Sequence, residues 1–310
     1  MRIITEGSEI NGYTAVALGT FDGIHRAHQE IISRARMLAE ENGMESLVYT
    51  FDGIPSNFFS QGERYLFSRS EKISFISDMG IDLLSIEAFD EKIADMEAED
   101  FLYILRTVYK ARIIVCGFNY RFGRGRKGDI GLLQTYAKDH DMKIYVIPEM
   151  RYGGKTVSST AVRKLVENGD MEEARDLLGH SYYFTGDIVD GRRVGRTIGF
   201  PTINLSYDNG KVLPPLGVYA SLVEIDERIY SGVTNIGMRP TVGNGDDITF
   251  ETNILDFSGD VYGKKAKVTL EKLIRRERKF SSLDELKEQI DKDKKAADDY
   301  LKENSPALSE

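Results

Sequence analysis

Several stretches of the chain combine residue types and spacings that suit phosphate chemistry. The first is Leu18-Gly19-Thr20-Phe21-Asp22-Gly23-Ile24-His25-Arg26-Ala27-His28, which holds two of the four histidines, three residues apart. If this stretch leads from a strand into a helix, both imidazoles fall on one face of the first turn. A helix start carries unpaired N–H groups and partial positive charge, and glycine lets a phosphate approach the backbone closely. His25 and His28 would donate hydrogen bonds to phosphoryl oxygens as charge builds in an in-line displacement, with no covalent intermediate. Gly19, Phe21 and Asp22 accompany them as binding candidates. Two surface histidines at a helix start is the plain alternative, and a metal pair lacks carboxylate and thiol partners at ligand spacing.

Ser158-Ser159-Thr160 precedes Arg163 by about one helical turn, so hydroxyls, N–H groups and a guanidinium would converge on an anion. On its own this segment reads equally as an ordinary serine/threonine cap with a solvated arginine. Asn119-Tyr120-Arg121-Phe122-Gly123 runs into Arg124, Arg126, Lys127 and Gly128-Asp129, a glycine-rich basic loop suited to phosphates or simply to solvent. Its literal GxGxxG is not a dinucleotide fingerprint, because six residues separate Cys116 from the first glycine. Gly154-Lys155-Thr156 resembles the tail of a P-loop, yet Glu149 stands where the leading glycine belongs, leaving a turn with an exposed lysine. Further on, Thr202 and Asn204 fall on the same side of an extended segment, where a hydroxyl and an amide oxygen suit Mg²⁺ or phosphate. A polar strand face is the commoner meaning of such a pair, and Glu251, alternating with Thr249 and Asn253, reads by itself as one more strand carboxylate.

The elements that must position these residues fall into two textures. From Tyr13 to about Gly179, apolar runs (Thr14 to Leu18, Ser46 to Phe51, Ile81 to Ile86, Ala111 to Gly117, Lys143 to Pro148) alternate with helical patterns, predicting βαβ units and a largely parallel sheet. The helices are expected at His25–Glu41, Ser70–Met79, Glu97–Lys110, Gly131–Asp139, Thr160–Asn168 and Met171–Leu178. After Tyr182, period-two runs at Tyr183–Val189, Val218–Ile225, Ile229–Val233, Ile248–Asn253 and Ala266–Leu270 predict an antiparallel sandwich or small barrel. Glu227-Arg228 reads as a hairpin tip. Ser282 and Glu285 form a capping-box pattern ahead of a closing amphipathic helix. The boundary falls near Gly179 to Tyr183, giving domains 1–180 and 181–310.

Composition bounds the rest. The 310 residues fit two domains at roughly 150 residues each. A net charge of −9 leaves no broad basic face for nucleic acid, and no window approaches the apolar run of about 20 residues that crosses a bilayer. One cysteine, Cys116, forms no internal disulfide and reads as a small buried strand residue in a reducing cytosol. The chain is expected to be soluble and cytoplasmic, with its oligomeric state left open.

These motifs together resemble those of the bacterial bifunctional riboflavin kinase/FAD synthetases of the nucleotidyltransferase superfamily. The first stretch is similar to their GxFDGxHxGH motif, Asn119 to Gly123 with Asp129 to a flavin and nucleotide loop, and Ser158 to Arg163 to SSTxxR. Gly199-Phe200-Pro201-Thr202-Ile203-Asn204 resembles GFPTxN, and the similarity runs on through Asn235 to Thr241, Glu251 to Phe257 and Arg275 to Phe280. The resemblance implies a Rossmann-like nucleotidyltransferase domain and an antiparallel β-barrel riboflavin kinase domain with a terminal helix. It further implies ATP and flavins (riboflavin, FMN, FAD) as substrates and products, with Mg²⁺. It makes Glu251 the general base toward the riboflavin 5′-hydroxyl, and Thr202 and Asn204 the metal and phosphate ligands. Gly199, Pro201 and Arg275 would complete the kinase site, and Asn119, Arg121, Gly123, Asp129, Ser159, Thr160 and Arg163 the adenylyltransferase site. The chain departs from the family at Ala27, which replaces a glycine, at Asn253, commonly histidine, and at Phe51 to Pro55. A kinase with an impaired adenylyltransferase half, a different nucleotidyltransferase fused to a β-domain, and a non-catalytic flavin-binding regulator therefore remain as alternatives.

Overall fold

Strands buried on both faces need cover on both sides, and the first half of the chain supplies it with helices. The computed structural model describes residues 1–305 apart from Glu6, Gln61, 190–201, 241–245, Ser258 and Asp260. Contacts divide the chain into two units, 1–161 and 162–310.

In chain order the first unit contains β1 (Arg2–Ile4), β2 (Thr14–Leu18), α1 (Arg26–Glu41), β3 (Glu45–Asp52), α2 (Ser56–Phe59), α3 (Arg69–Asp78) and β4 (Leu83–Ala88). There follow α4 (Glu91–Ala94), α5 (Ala98–Thr107), β5 (Ala111–Gly117), α6 (Ile130–Asp139), β6 (Lys143–Ile147) and a small hairpin of β7 (Arg151–Tyr152) and β8 (Lys155–Thr156). The main sheet is parallel, in the order β1-β4-β3-β2-β5-β6. Val16 and Leu18 pack with Phe101, Leu102, Leu105 and Ile114 in one core, while the alternate residues Ala15 and Ala17 are small and fully buried. α1 lies on β2, β3 and β5 and buries Ile31, Ile32, Ala35, Leu38 and Ala39. Strand order reverses at β2 and β5, whose carboxyl ends meet with Leu18 opposite Cys116. In open α/β sheets a ligand crevice forms at that switch point. Both the histidine stretch and the basic glycine-rich loop leave the sheet there.

Helix α7 (Ser159–Asn168) leads into the second unit, which continues with α8 (Met171–Leu178) and ends that helix at left-handed Gly179. β9 (Tyr182–Val189), β10 (Ile203–Ser206), β11 (Gly217–Ile225), β12 (Arg228–Pro240), β13 (Asp246–Ile254) and β14 (Lys265–Arg276) close into a barrel in the order β10-β13-β12-β11-β14-β9. Its interior holds Tyr182, Phe184, Tyr219 and Phe250, with a buried hydroxyl chain from Ser221 to Thr234 (2.7 Å) to Thr252 (2.9 Å). α9 (Leu283–Asn304) lies across β11, β12 and β14, and its Ala297 and Leu301 pack on outward-facing Val218, Ala220 and Val233. The hairpin tip is Asp226-Glu227, both with positive φ, one residue earlier than the expected Glu227-Arg228.

Candidate active sites

At the head of α1 the chain is forced through an unusual turn. Phe21 (φ 48°) and Ile24 (φ 37°) are left-handed although neither is glycine, and both are fully buried. Such conformations cost of order 1–3 kcal/mol each and persist only where the surroundings over-determine them. Here the surroundings do: Asp22 is buried and its Oδ1 accepts from the N–H groups of Leu66 (2.8 Å) and Phe67 (3.2 Å). The Ser159 hydroxyl donates to the Asp22 carbonyl at 3.0 Å. Gly19 is required by the same packing, since a Cβ there would lie 2.8 Å from the Phe21 ring. Phe21 and Asp22 thus shape the turn from within, and Gly19 makes room for it.

The turn delivers the two histidines side by side. Their rings stack at 3.6 Å and 12°, with Phe21 edge-on to His28 at 5.3 Å. His25 caps α1: its Nδ1 accepts from the His28 N–H at 3.4 Å, so in the neutral ring the proton sits on Nε2. The Nδ1 of His28 is buried without a hydrogen-bond partner among the described residues. Burial first, then the proximity of His25 and Lys72, push the His28 pKa well below its ordinary 6.5, so that ring is neutral near pH 7. Ala27 occupies the second helical position, beside Arg26, whose guanidinium stacks on Tyr152 at 4.5 Å.

The loop after β5 is closed by a bridge between Phe122 and Gly128. Gly123 (φ 71°) would bring a Cβ to within 2.7 Å of the Ala98 backbone. Asp129 caps α6 by accepting from the Leu132 N–H at 3.0 Å, which with the Arg121 ion pair (3.1 Å) holds its carboxyl below the usual range. Arg124 pairs with Glu97, while Asn119, Arg126 and Lys127 are exposed. At α7, Ser158 Oγ accepts from the Ala161 N–H (3.2 Å), Thr160 is exposed, and Arg163 follows one turn on, half-buried.

On the barrel, ladder register brings the polar candidates together. Asn204 on β10 lies opposite Glu251 on β13, and Glu251 lies opposite Asn235 on β12. Phe250 and Thr252 point into the closed core, so Asn204, Glu251 and Asn235 form a row on the outer face, all half-buried. Thr202, half-buried just ahead of β10, would share that face if the strand alternation extended back to it. A Cβ on Gly237 would lie 3.1 Å from Asn235 Nδ2 and 3.3 Å from Glu277 Oε1, so a second carboxylate borders the row. Gly199 and Pro201 lie outside the described residues. Arg275 on β14 lies opposite Val218, which faces Asn235, and its guanidinium pairs with buried Asp293 of α9 at 2.8 Å and stacks on Phe280 at 5.5 Å.

Comparison with known proteins matches each unit separately. The FAD synthetase family model fits residues 8–161 and the riboflavin kinase family model residues 178–301. The bifunctional riboflavin kinase/FMN adenylyltransferase of Bacillus subtilis is 35% identical over 93% of this chain and 92% of its own length. This chain belongs to the bifunctional riboflavin kinase/FMN adenylyltransferase family. The enzyme of that name from Escherichia coli is 34% identical over 94% of both chains. A crystal structure from Streptococcus pneumoniae, described as a macrolide-efflux protein, has TM-score 0.87 and 30% identity over 96% of this chain and 98% of that one. Among the described residues here, no helix is long and apolar enough to cross a membrane.

Several residues of the two family domains escaped the sequence reading. In the FAD synthetase domain, Lys72 on α3 is buried beneath the histidine turn, where helical position alone reads as a solvated charge. Phe58 and Phe59 are 47% and 71% exposed and join Phe51 and Phe89 in an edge-to-face aromatic group. An exposed Phe-Phe pair after a Gly-Ile-Pro turn was the available signal. In the riboflavin kinase domain, Asn235 and Glu277 lay inside segments already noted for resemblance, yet only the ladder register sets them against Glu251 and Gly237.

Proposed function

We propose that this chain converts riboflavin to FMN with ATP on its barrel, residues 181–310, and FMN to FAD with a second ATP on its α/β domain, residues 1–180, in the cytoplasm. The observation that supports the reading is that each family domain gathers its own polar candidates: the stacked histidines at the head of α1 and the Asn204–Glu251–Asn235 row.

On the barrel, Glu251 accepts the proton of the riboflavin 5′-hydroxyl as that oxygen attacks the ATP γ-phosphorus, and the bond to the ADP oxygen breaks. The Thr202 hydroxyl and the Asn204 amide oxygen are hard, neutral donors. Mg²⁺ is commonly held by one or two protein oxygens together with substrate phosphates and waters, so this pair fits it. Bound there, the ion would neutralise phosphate charge; Asn204 and Thr202 orient it and Glu251 handles the proton.

In the α/β domain an oxygen of the FMN phosphate attacks the ATP α-phosphorus and pyrophosphate leaves. The nucleophile is already anionic, so no base is needed. Charge grows on the α-phosphoryl and pyrophosphate oxygens, and His25 Nε2–H, His28 and the N–H groups at the start of α1 stabilise it. Ser159, Thr160, Asn119, Arg121 and Asp129 would line the nucleotide and flavin approach. The exposed Phe58 and Phe59 rings offer a flat apolar surface for an isoalloxazine.

Two variants test the division of labour. Glu251→Gln should lower FMN formation from riboflavin by about 10²-fold or more, the usual scale for a positioned base, and leave FAD formation from supplied FMN unchanged. His28→Ala should do the reverse, lowering FAD formation by about 10²–10³-fold. Equal loss of both activities in either variant would contradict the assignment.

A further inference from the structure

The Lys72 side chain lies directly behind the histidine turn and has no part in the steps above. It is 2% exposed, and its Nζ donates to the carbonyls of Thr20 (3.0 Å) and Phe51 (2.7 Å). Thr20 is the residue between Gly19 and left-handed Phe21, and its carbonyl also accepts from the Thr50 hydroxyl at 2.9 Å. The tie is reciprocal: α3 sends Lys72 to the turn, and the turn sends the Asp22 carboxylate to the Leu66 and Phe67 N–H groups just ahead of α3. An ordinary exposed lysine gains nothing from this placement. A buried ammonium, by contrast, loses several kcal/mol of solvation and is retained only where its bonds and charge are needed.

We propose that Lys72 is a positioning residue for adenylyl transfer, a buried cation that fixes the Thr20 carbonyl and so aims His25, His28 and the start of α1 at the nucleotide phosphates. This rests on the adenylyltransferase reading of the domain. The charge has a second effect: it adds to the positive potential that the phosphates meet and opposes protonation of His28. The groups acting on Lys72 are Asp22 of the turn and Asp52 at the end of β3, which favour its charge, and Arg69 on α3, which opposes it. Desolvation outweighs them all and brings the ammonium pKa from 10.5 to about 8. The cation is therefore lost just above neutrality, unlike that of an exposed lysine.

The test uses the full chain and follows FAD formation from FMN and ATP, with FMN formation from riboflavin as the internal control. In the unmodified chain kcat/KM for ATP in FAD formation should fall on the alkaline side with an apparent pKa near 8. Lys72→Met should lower that kcat/KM by about 10–10²-fold, as expected when reacting groups are misaimed by roughly an ångström. Lys72→Arg, which keeps the charge, should recover part of the loss and move the alkaline limb upward. The kinase control should be unchanged throughout. A purely structural role would change the melting temperature without moving the limb. An unmodified chain whose FAD formation shows no limb near pH 8, or a folded Lys72→Met with unaltered kcat/KM, would overturn the proposal. An unmodified chain that makes no FAD at all would instead remove the adenylyltransferase reading on which it stands.

Discussion

Glu251, His25 and His28 illustrate how differently single residues acquire a role. The histidines could be read from spacing, because three residues on a helix start bring two rings together, and the structure stacks them at 3.6 Å. Glu251 could not, since a strand carboxylate becomes distinctive only when the ladder sets Asn204 and Asn235 on either side of it. Asp22, Phe21 and Gly19 were legible as important but not in their manner: all three act on the turn from inside, and proximity to a motif does not distinguish a ligand contact from a buried strut. Gly19→Ala makes the distinction measurable. Its Cβ would meet the Phe21 ring at 2.8 Å, and overpacking of this kind costs about 1–3 kcal/mol. We expect a lower unfolding midpoint for the α/β domain together with reduced FAD formation, and no change in FMN formation. An unaltered midpoint would show that the ring has room to move.

At the scale of elements, the strands of the parallel sheet were readable because both of their faces are apolar. Ala111–Gly117 matches its expected span, and Lys143–Ile147 stops one residue early. β1, α2 and α4 were not, being three or four residues long and lacking a period to recognise. β12 and β14 extend well beyond the runs that announced them, because their ends carry Asn235, Gly237 and Arg275, polar or small residues that the barrel face and α9 accommodate. Arg275 shows the consequence. Its partner Asp293 is 4% exposed and Arg275 itself 21%, so the pair ties α9 to β14. Removing one member of such a pair strands the other charge and costs about 3–5 kcal/mol. Asp293→Ala should therefore lower the denaturant midpoint of the barrel domain and leave that of the α/β domain in place. A change below about 0.5 kcal/mol, the level of an ordinary surface substitution, would mean that the pair does not anchor the helix.

For the whole molecule, each unit has its own core, one under the parallel sheet and one between barrel and α9. Effects of changes in separate cores add to within a few tenths of a kcal/mol. The two activities should therefore be separable, the double variant showing the Glu251→Gln loss alone in FMN formation and the His28→Ala loss alone in FAD formation from supplied FMN. The two-domain organisation was legible as a change from helical to period-two texture. The closure of the second half into a barrel was implied by family resemblance only, since periodicity does not reveal which strands meet. The central claim is that a single chain carries riboflavin through FMN to FAD. The most direct measurement incubates the unmodified protein with riboflavin, ATP and Mg²⁺ and resolves the three flavins by chromatography over time. FMN that rises first and then gives way to FAD is the predicted result. Riboflavin left unchanged, beside an active control enzyme, would contradict it, and FMN accumulating with no FAD would contradict the half built on His25 and His28.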